Sequence, residues 1–238
     1  QRPEYFETWR AETPDGFLFS VKGSRFITHM KQLRDVETPL ANFFASGVLA
    51  LREKLGPFLW QLPPRMRFDP VKLAHFLALL PRDTLAAARL AKQHDARLHD
   101  RAFTESGGRR TLRHCLEVRH PSFLVPEFFE LLRKHNVAFV FADTAGKWPY
   151  AEDLTSDFVY VRLHGAEQLY VSGYTDEQLG WWAARIRHWA EGGKSDDARL
   201  VTKASRRPAK IADVFVYFDN DAKVHAPFDA QRLLAHLA

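Results

Sequence analysis

The 238 residues are 46% hydrophobic and carry a formal charge of +5, enough apolar content for one large core, and α/β barrels commonly form single domains of about this size. The single Cys115 excludes an intrachain disulfide and a multi-cysteine zinc site, which fits a reducing compartment. No run approaches the roughly 20 apolar residues of a membrane helix, and residues 1–16 lack the basic-then-apolar order of a signal peptide, so a cytoplasmic, membrane-free protein is expected.

Phe17 to Lys22 is the first of six short apolar runs that end on a polar or charged residue. The others are Phe58 to Gln61, Cys115 to Arg119, Val137 to Asp143, Phe158 to His164 and Val214 to Asp221. Segments of helical period follow several of them. Pro39 to Lys54 carries Leu40, Phe43, Phe44, Val48 and Leu51 near helical spacing, and Asp69 to Leu80 carries Val71, Leu73, Phe76, Leu77 and Leu80. Pro126 to His135 repeats the pattern. A helix opening at Asp176 places Leu179, Trp182, Ile186 and Trp189 on one face and stops at Gly192-Gly193, and a last helix holds Ala230, Leu233, Leu234 and Leu237. Strand-helix alternation of this kind predicts a parallel sheet and a TIM-like (β/α) barrel formed as one domain over 1–238.

In such barrels the chemistry sits where strands end at the C-terminal face. Alternation puts Glu117 and Arg119 on one strand face, and Arg162 and His164 on another. Paired polar residues on an inward face must meet either each other or a ligand. Both outcomes are open: a structural ion-pair network of Glu117, Arg119, Arg162 and Asp143, or a binding site for a small anionic ligand held by the two arginines. In the second case Arg119 and Arg162 hold the anion, Glu117 or Asp143 is the general base, and His164 or Lys22 is the general acid. Gln61, His120, Asn220 and Asp221 are further candidates for substrate contact. Lys22 suits proton transfer only if burial lowers its pKa, and a structural lysine fits equally. His29, His120 and His164 are further acid/base candidates, but no short His/Asp/Glu spacing fixes a metal cage, and neither a metal nor a cofactor is assigned.

Glycine-rich dinucleotide, Gly-Lys-Ser/Thr phosphate-loop and Gly-x-Ser-x-Gly motifs are all missing, which argues against nicotinamide dehydrogenase, nucleotide triphosphatase and serine hydrolase chemistry. The basic excess is concentrated in residues 82–113 and 194–210, each with a charge of +4, the latter read as a basic insert or loop. A solvated loop and a nucleic-acid backbone contact both fit such segments.

Several short blocks stand in order along the chain: Thr13-Pro14-Asp15-Gly16-Phe17 with Val21-Lys22 and Ile27-Thr28-His29, then Lys54-Leu55-Gly56-Pro57 with Trp60-Gln61-Leu62-Pro63-Pro64. Glu117-Val118-Arg119-His120-Pro121-Ser122, Tyr160-Val161-Arg162-Leu163-His164-Gly165 and Tyr217-Phe218-Asp219-Asn220-Asp221 complete the set. Taken together, these blocks resemble the domain of unknown function 72, or YecE-like, family. Phe123 stands where the family often has Trp, and Asp219 where it often has Asn. The resemblance implies a (β/α) barrel of no established general activity, and implies that two further βα units precede Gln1, six of eight being present here. Two open strand edges would then be covered by closing up or by homodimerisation. The leading functional expectation is an enzyme, such as a lyase, isomerase or hydrolase, acting on a phosphorylated or carboxylated, sugar-like small molecule. Its rivals are a metal-dependent nucleic-acid enzyme or binder, and a non-catalytic barrel scaffold.

Overall fold

Each strand expected from the sequence forms in the computed structural model, which describes residues 1–191, 193–202, 211–222 and 224–238. The strands are β1 (Phe19–Lys22), β2 (Leu55–Gln61), β3 (His114–Glu117), β4 (Val137–Asp143), β5 (Phe158–Leu163) and β6 (Asp213–Phe218). The helices are α1 (Pro3–Glu12), α2 (Glu37–Ala45), α3 (Pro70–Leu79), α4 (Thr84–Ala91), α5 (Pro126–Lys134), α6 (Asp176–Ala190) and α7 (His225–Leu237). No helix among the described residues is long and apolar enough to cross a membrane.

The chain divides into two compact units, and each is described by itself. The first comprises residues 1–63 and 69–115, and the second 64–68 and 116–238, so the boundary falls inside β3. In the first unit β1 pairs parallel with β2, Val21 opposite Phe58, with a register irregularity between Phe19 and Val21. Its core is aromatic: Phe43, Phe44, Phe58, Trp60 and Phe76 form a run of edge-on and tilted rings. His114, at the start of β3, is fully buried in that core. Trp60 Nε1 donates to its Nδ1 at 3.1 Å, and its Nε2 is 2.8 Å from the Pro81 carbonyl. A neutral imidazole protonated on Nε2 satisfies both contacts, and burial lowers its pKa to about 3.

Two expectations for this unit change. The stretch Pro39 to Lys54 is not one helix, because Gly47 adopts φ 115° and ends α2, after which Val48–Lys54 continues as a 3-10 segment. A Cβ at Gly47 would come within 2.6 Å of Pro3 Cα, so glycine serves both the turn and the close approach of α1. The segment 82–113, read as a connection, contains α4, whose first turn is capped by Asp83 accepting from Ala86 N.

In the second unit β4, β5 and β6 are parallel, with Val140 opposite Tyr160 and Arg162 opposite Tyr217. Helix α6 buries Leu179, Trp182, Ile186 and Trp189, the face expected from their spacing. It opens with a capping box in which Thr175 accepts from Gln178 N and the Gln178 side chain accepts from Thr175 N. Residues 203–210, with four of the six basic side chains of the expected 194–210 insert and its Ser205-Arg206-Arg207-Pro208 turn, lie outside the described residues.

Candidate active site

The C-terminal ends of β3, β5 and β6 bring charged side chains of the second unit together. Arg162, 6% exposed, donates from Nη1 to Glu117 Oε2 at 2.5 Å and from Nη2 to Asp219 Oδ2 at 2.6 Å. Arg119 donates from Nε to the other Glu117 oxygen at 2.9 Å and from Nη2 to the Tyr170 hydroxyl at 3.3 Å. Its guanidinium carbon lies 3.6 Å from the ring centroid of Trp148. Burial pushes the Glu117 pKa up, but Arg162 and Arg119 outweigh it and hold the carboxyl below its ordinary range. Burial likewise opposes the Arg162 charge, and Glu117 and Asp219 more than offset that. His164 is fully buried, with Nδ1 3.0 Å from Asp219 Oδ2 but off the hydrogen-bond axis.

A cavity of about 830 Å³ opens beside the end of β4 in the same unit. Asp143 lies in its wall and accepts from the Tyr174 hydroxyl at 3.0 Å, while Gly165 N donates to that hydroxyl at 3.1 Å. Burial raises the Asp143 pKa against the lowering influence of Tyr174 and the Ala145 N–H. Trp148, Tyr150, Trp181 and Trp182 supply aromatic walls. The far side is charged. Arg185 Nε lies 3.3 Å from Glu152 Oε2, and Arg185 Nη2 lies 2.7 Å from Asp197 Oδ2. Burial also pushes Glu152 up, against Arg185. Both tyrosines, Tyr150 and Tyr174, are raised by burial and by the carboxylates beside them. Among the described residues no three His, Cys, Asp or Glu side chains are grouped as a metal site would require.

Of the residues singled out from the sequence, Glu117, Arg119, Arg162 and His164 are thus assembled into one cluster, and Asp143 stands in the cavity wall. His120 Nδ1 accepts from Ser122 N at 3.1 Å and so caps the turn after β3. Asn220 is fully buried, donating to Asp229 at 2.9 Å and to the Ser172 carbonyl at 3.0 Å, and Asp221 is exposed in the following turn. Lys22 and Gln61 belong to the first unit. Lys22 is exposed at the end of β1, so the burial on which its proton-transfer role depended is missing. Gln61 Nε2 donates to the Leu62 carbonyl at 3.2 Å and lies 3.4 Å from His29 Nε2.

The sequence profile of a family described as "Protein of unknown function DUF72" matches residues 1–238. The chain belongs to the DUF72 family. A crystal structure of a DUF72 family protein from Thermotoga maritima MSB8 superimposes with a TM-score of 0.70 at 22% identity, covering 99% of this chain and 79% of that one. A DUF72 family protein from Enterococcus faecalis V583 gives 0.69 at 15% identity, covering 100% of this chain and 80% of that one. A second crystal structure with the same description, from the same organism, gives 0.63 at 15% identity. At these identities the likeness shows the fold, an α/β, TIM-like arrangement of parallel strands, as the DUF72 resemblance implied. The chain matches no curated protein.

Sequence reasoning missed Asp219, Trp148, Tyr174, Trp181, Glu152 and Arg185. Only Asp219 carried a signal, since it follows Tyr217 by two and so shares its strand face.

Proposed function

We propose that this DUF72 protein is an enzyme acting on a small anionic, hydroxyl-bearing substrate bound in the 830 Å³ cavity, with Asp143 as the acid/base group. The observation that carries the reading is the Asp143 carboxyl itself. It ends a parallel strand, faces a cavity large enough for a sugar-sized molecule, and is raised toward the range useful for proton transfer at neutral pH. The Tyr174 hydroxyl orients Oδ2, and Oδ1, which accepts one hydrogen bond from Ala145 N at 3.3 Å, keeps a second lone pair for substrate. Trp148 and Trp181 offer flat faces against which a ring or carbon chain can lie.

Arg119 and Arg162 enter this reading differently from the first expectation. Both terminal nitrogens of Arg162 are engaged by Glu117 and Asp219, and the Arg119 side chain is spread over Glu117, Tyr170 and Trp148. They brace the site, and Arg119 fixes Trp148 in the cavity wall. The test is a thermal-shift screen of sugar phosphates and sugar acids against wild type and Asp143→Asn, followed by turnover assays on each hit. A ligand at 100 times its Kd adds about 2.7 kcal/mol of stability. The reading requires a hit that wild type turns over and Asp143→Asn binds without converting; turnover unchanged in Asp143→Asn would remove Asp143 from the chemistry.

A further inference from the structure

Arg185 is an unusual residue for a helix interior. It sits on α6 with only 4% of its surface exposed, yet its guanidinium reaches the cavity wall. Its carbon lies 3.4 Å from the Trp181 ring centroid, which fixes the plane of the fork, and Nε faces Glu152. The terminal nitrogen Nη2 is taken by Asp197, and the two partners are held very differently. Glu152 is 2% exposed and fastened to the backbone on both sides, its N donating to the Arg199 carbonyl at 2.8 Å and its Oε1 accepting from Arg199 N at 3.3 Å. Asp197 has a side chain 67% exposed and sits in a tight turn closed by Ala198 N on the Ser195 carbonyl at 3.1 Å.

That turn is anchored without Asp197. On one side buried Ser195 meets His188 Nδ1 at 3.1 Å, and on the other Arg199 is tied to Glu152. The Asp197 carboxylate can therefore leave Arg185 by side-chain rotation alone, with the Ala198–Ser195 hydrogen bond that closes the turn left intact. Arg199 completes the setting: it lines the same cavity, is exposed, and forms no ion pair among the described residues. A planar, fixed fork beside a second cation suits a phosphate or carboxylate.

Resting on the reading that the cavity takes an anionic substrate, we infer that Arg185 is the residue that binds the substrate's phosphate or carboxylate group, and that Asp197 is its built-in occupant, displaced when ligand enters. The exchange keeps the buried guanidinium paired in both states, which avoids leaving it uncompensated. It also makes Asp197 a competitive gate: affinity for the anion is reduced by the fraction of time Asp197 holds Arg185.

The test uses inorganic phosphate as probe, titrated into the full chain and followed by tryptophan fluorescence, because Trp181 carries the Arg185 guanidinium. Asp197→Asn should tighten phosphate binding roughly fivefold if Asp197 occupies Arg185 most of the time. Glu177→Gln removes a charge from the same cavity wall without touching Arg185 and should change it less than about twofold, the size expected of a screened surface charge. Arg185→Gln should abolish the response, and Arg185→Lys, which keeps the charge but loses the fork, should weaken it at least about tenfold. Equal phosphate affinity in wild type and Asp197→Asn, an equal gain in Glu177→Gln, or no phosphate binding to any variant would each overturn the inference. Because phosphate is scored without turnover, an inactive but phosphate-binding protein would count against Asp143 chemistry and leave the Arg185 assignment standing.

Discussion

Arg162 Nη1 stands 2.5 Å from Glu117 Oε2, and both side chains are almost entirely removed from water. Two strand ends are therefore fastened by a charge pair whose partners are further satisfied, Glu117 by Arg119 and Arg162 by Asp219. Glu117→Gln would leave two guanidinium groups sharing one neutral amide. Loss of one partner from a buried pair typically removes about 3–5 kcal/mol, and urea unfolding should show a loss of that order. The same pair sets an acid limit. Because the folded pKa of Glu117 is lowered from 4.5, its contribution is present above that value and is lost as pH falls further through the folded pKa. The wild-type stability curve should steepen below about pH 4.5, and Glu117→Gln should flatten it there.

His114 predicts a second, higher-lying acid sensitivity. Its pKa falls from 6.5 to about 3 on burial, so the unfolded chain takes up a proton first. Stability supplied by the neutral ring is complete above pH 6.5 and declines as pH drops toward 3, with a limiting slope of about 1.4 kcal/mol per pH unit. Urea midpoints between pH 7 and pH 5 should fall in wild type and fall less in His114→Gln.

For Asp143 the sign is opposite. Its folded pKa is raised, so the ionised carboxyl opposes folding, and stability declines as pH rises from the unfolded value of 3.8 through the folded one. Asp143→Asn keeps an oxygen to accept from Tyr174 and removes the charge. It should stabilise the protein by about 0.5–2 kcal/mol at pH 7 and, on the proposed reading, abolish turnover, the trade that reading requires of Asp143.

Thr175→Ala tests the wall of the cavity through its helix. Deleting the capping hydroxyl of α6 should lower stability by about 1 kcal/mol. Thr175 and Gln178 both line the cavity, so ligand affinity should weaken as well, which fluorescence titration would show.

The strand ends were legible because alternation is a local property: Arg162 and His164 had to share a face whatever lay opposite. What they would meet was not. Asp219 lies 57 residues from Arg162, and only the β5–β6 register, which places Leu163 beside Phe218, brings them together. Helix α4 was hidden because its basic neighbours dominated the composition of 82–113, although Asp83 and the Ala-rich run that follows it are ordinary helix signals. Helix α1 buries only Phe6 and so has little apolar periodicity to read. Trp148, Tyr150 and Glu152 lie outside strands and helices, where no period predicts direction, and Arg185 is a charged residue whose burial on α6 depends on the Trp181 ring lying against its guanidinium.

Phe68 packs on Phe123 and Phe128, and its N–H donates to Ser122 Oγ at 2.8 Å, across 54 residues of sequence. The five residues around it belong to the second unit but are threaded between two stretches of the first. During synthesis Phe68 therefore leaves the ribosome well before any of its packing partners, and an apolar ring must wait in water while residues 69–115 follow. A gene divided after Cys115 would strand this ring on the wrong polypeptide, so the two units are not consecutive translation products.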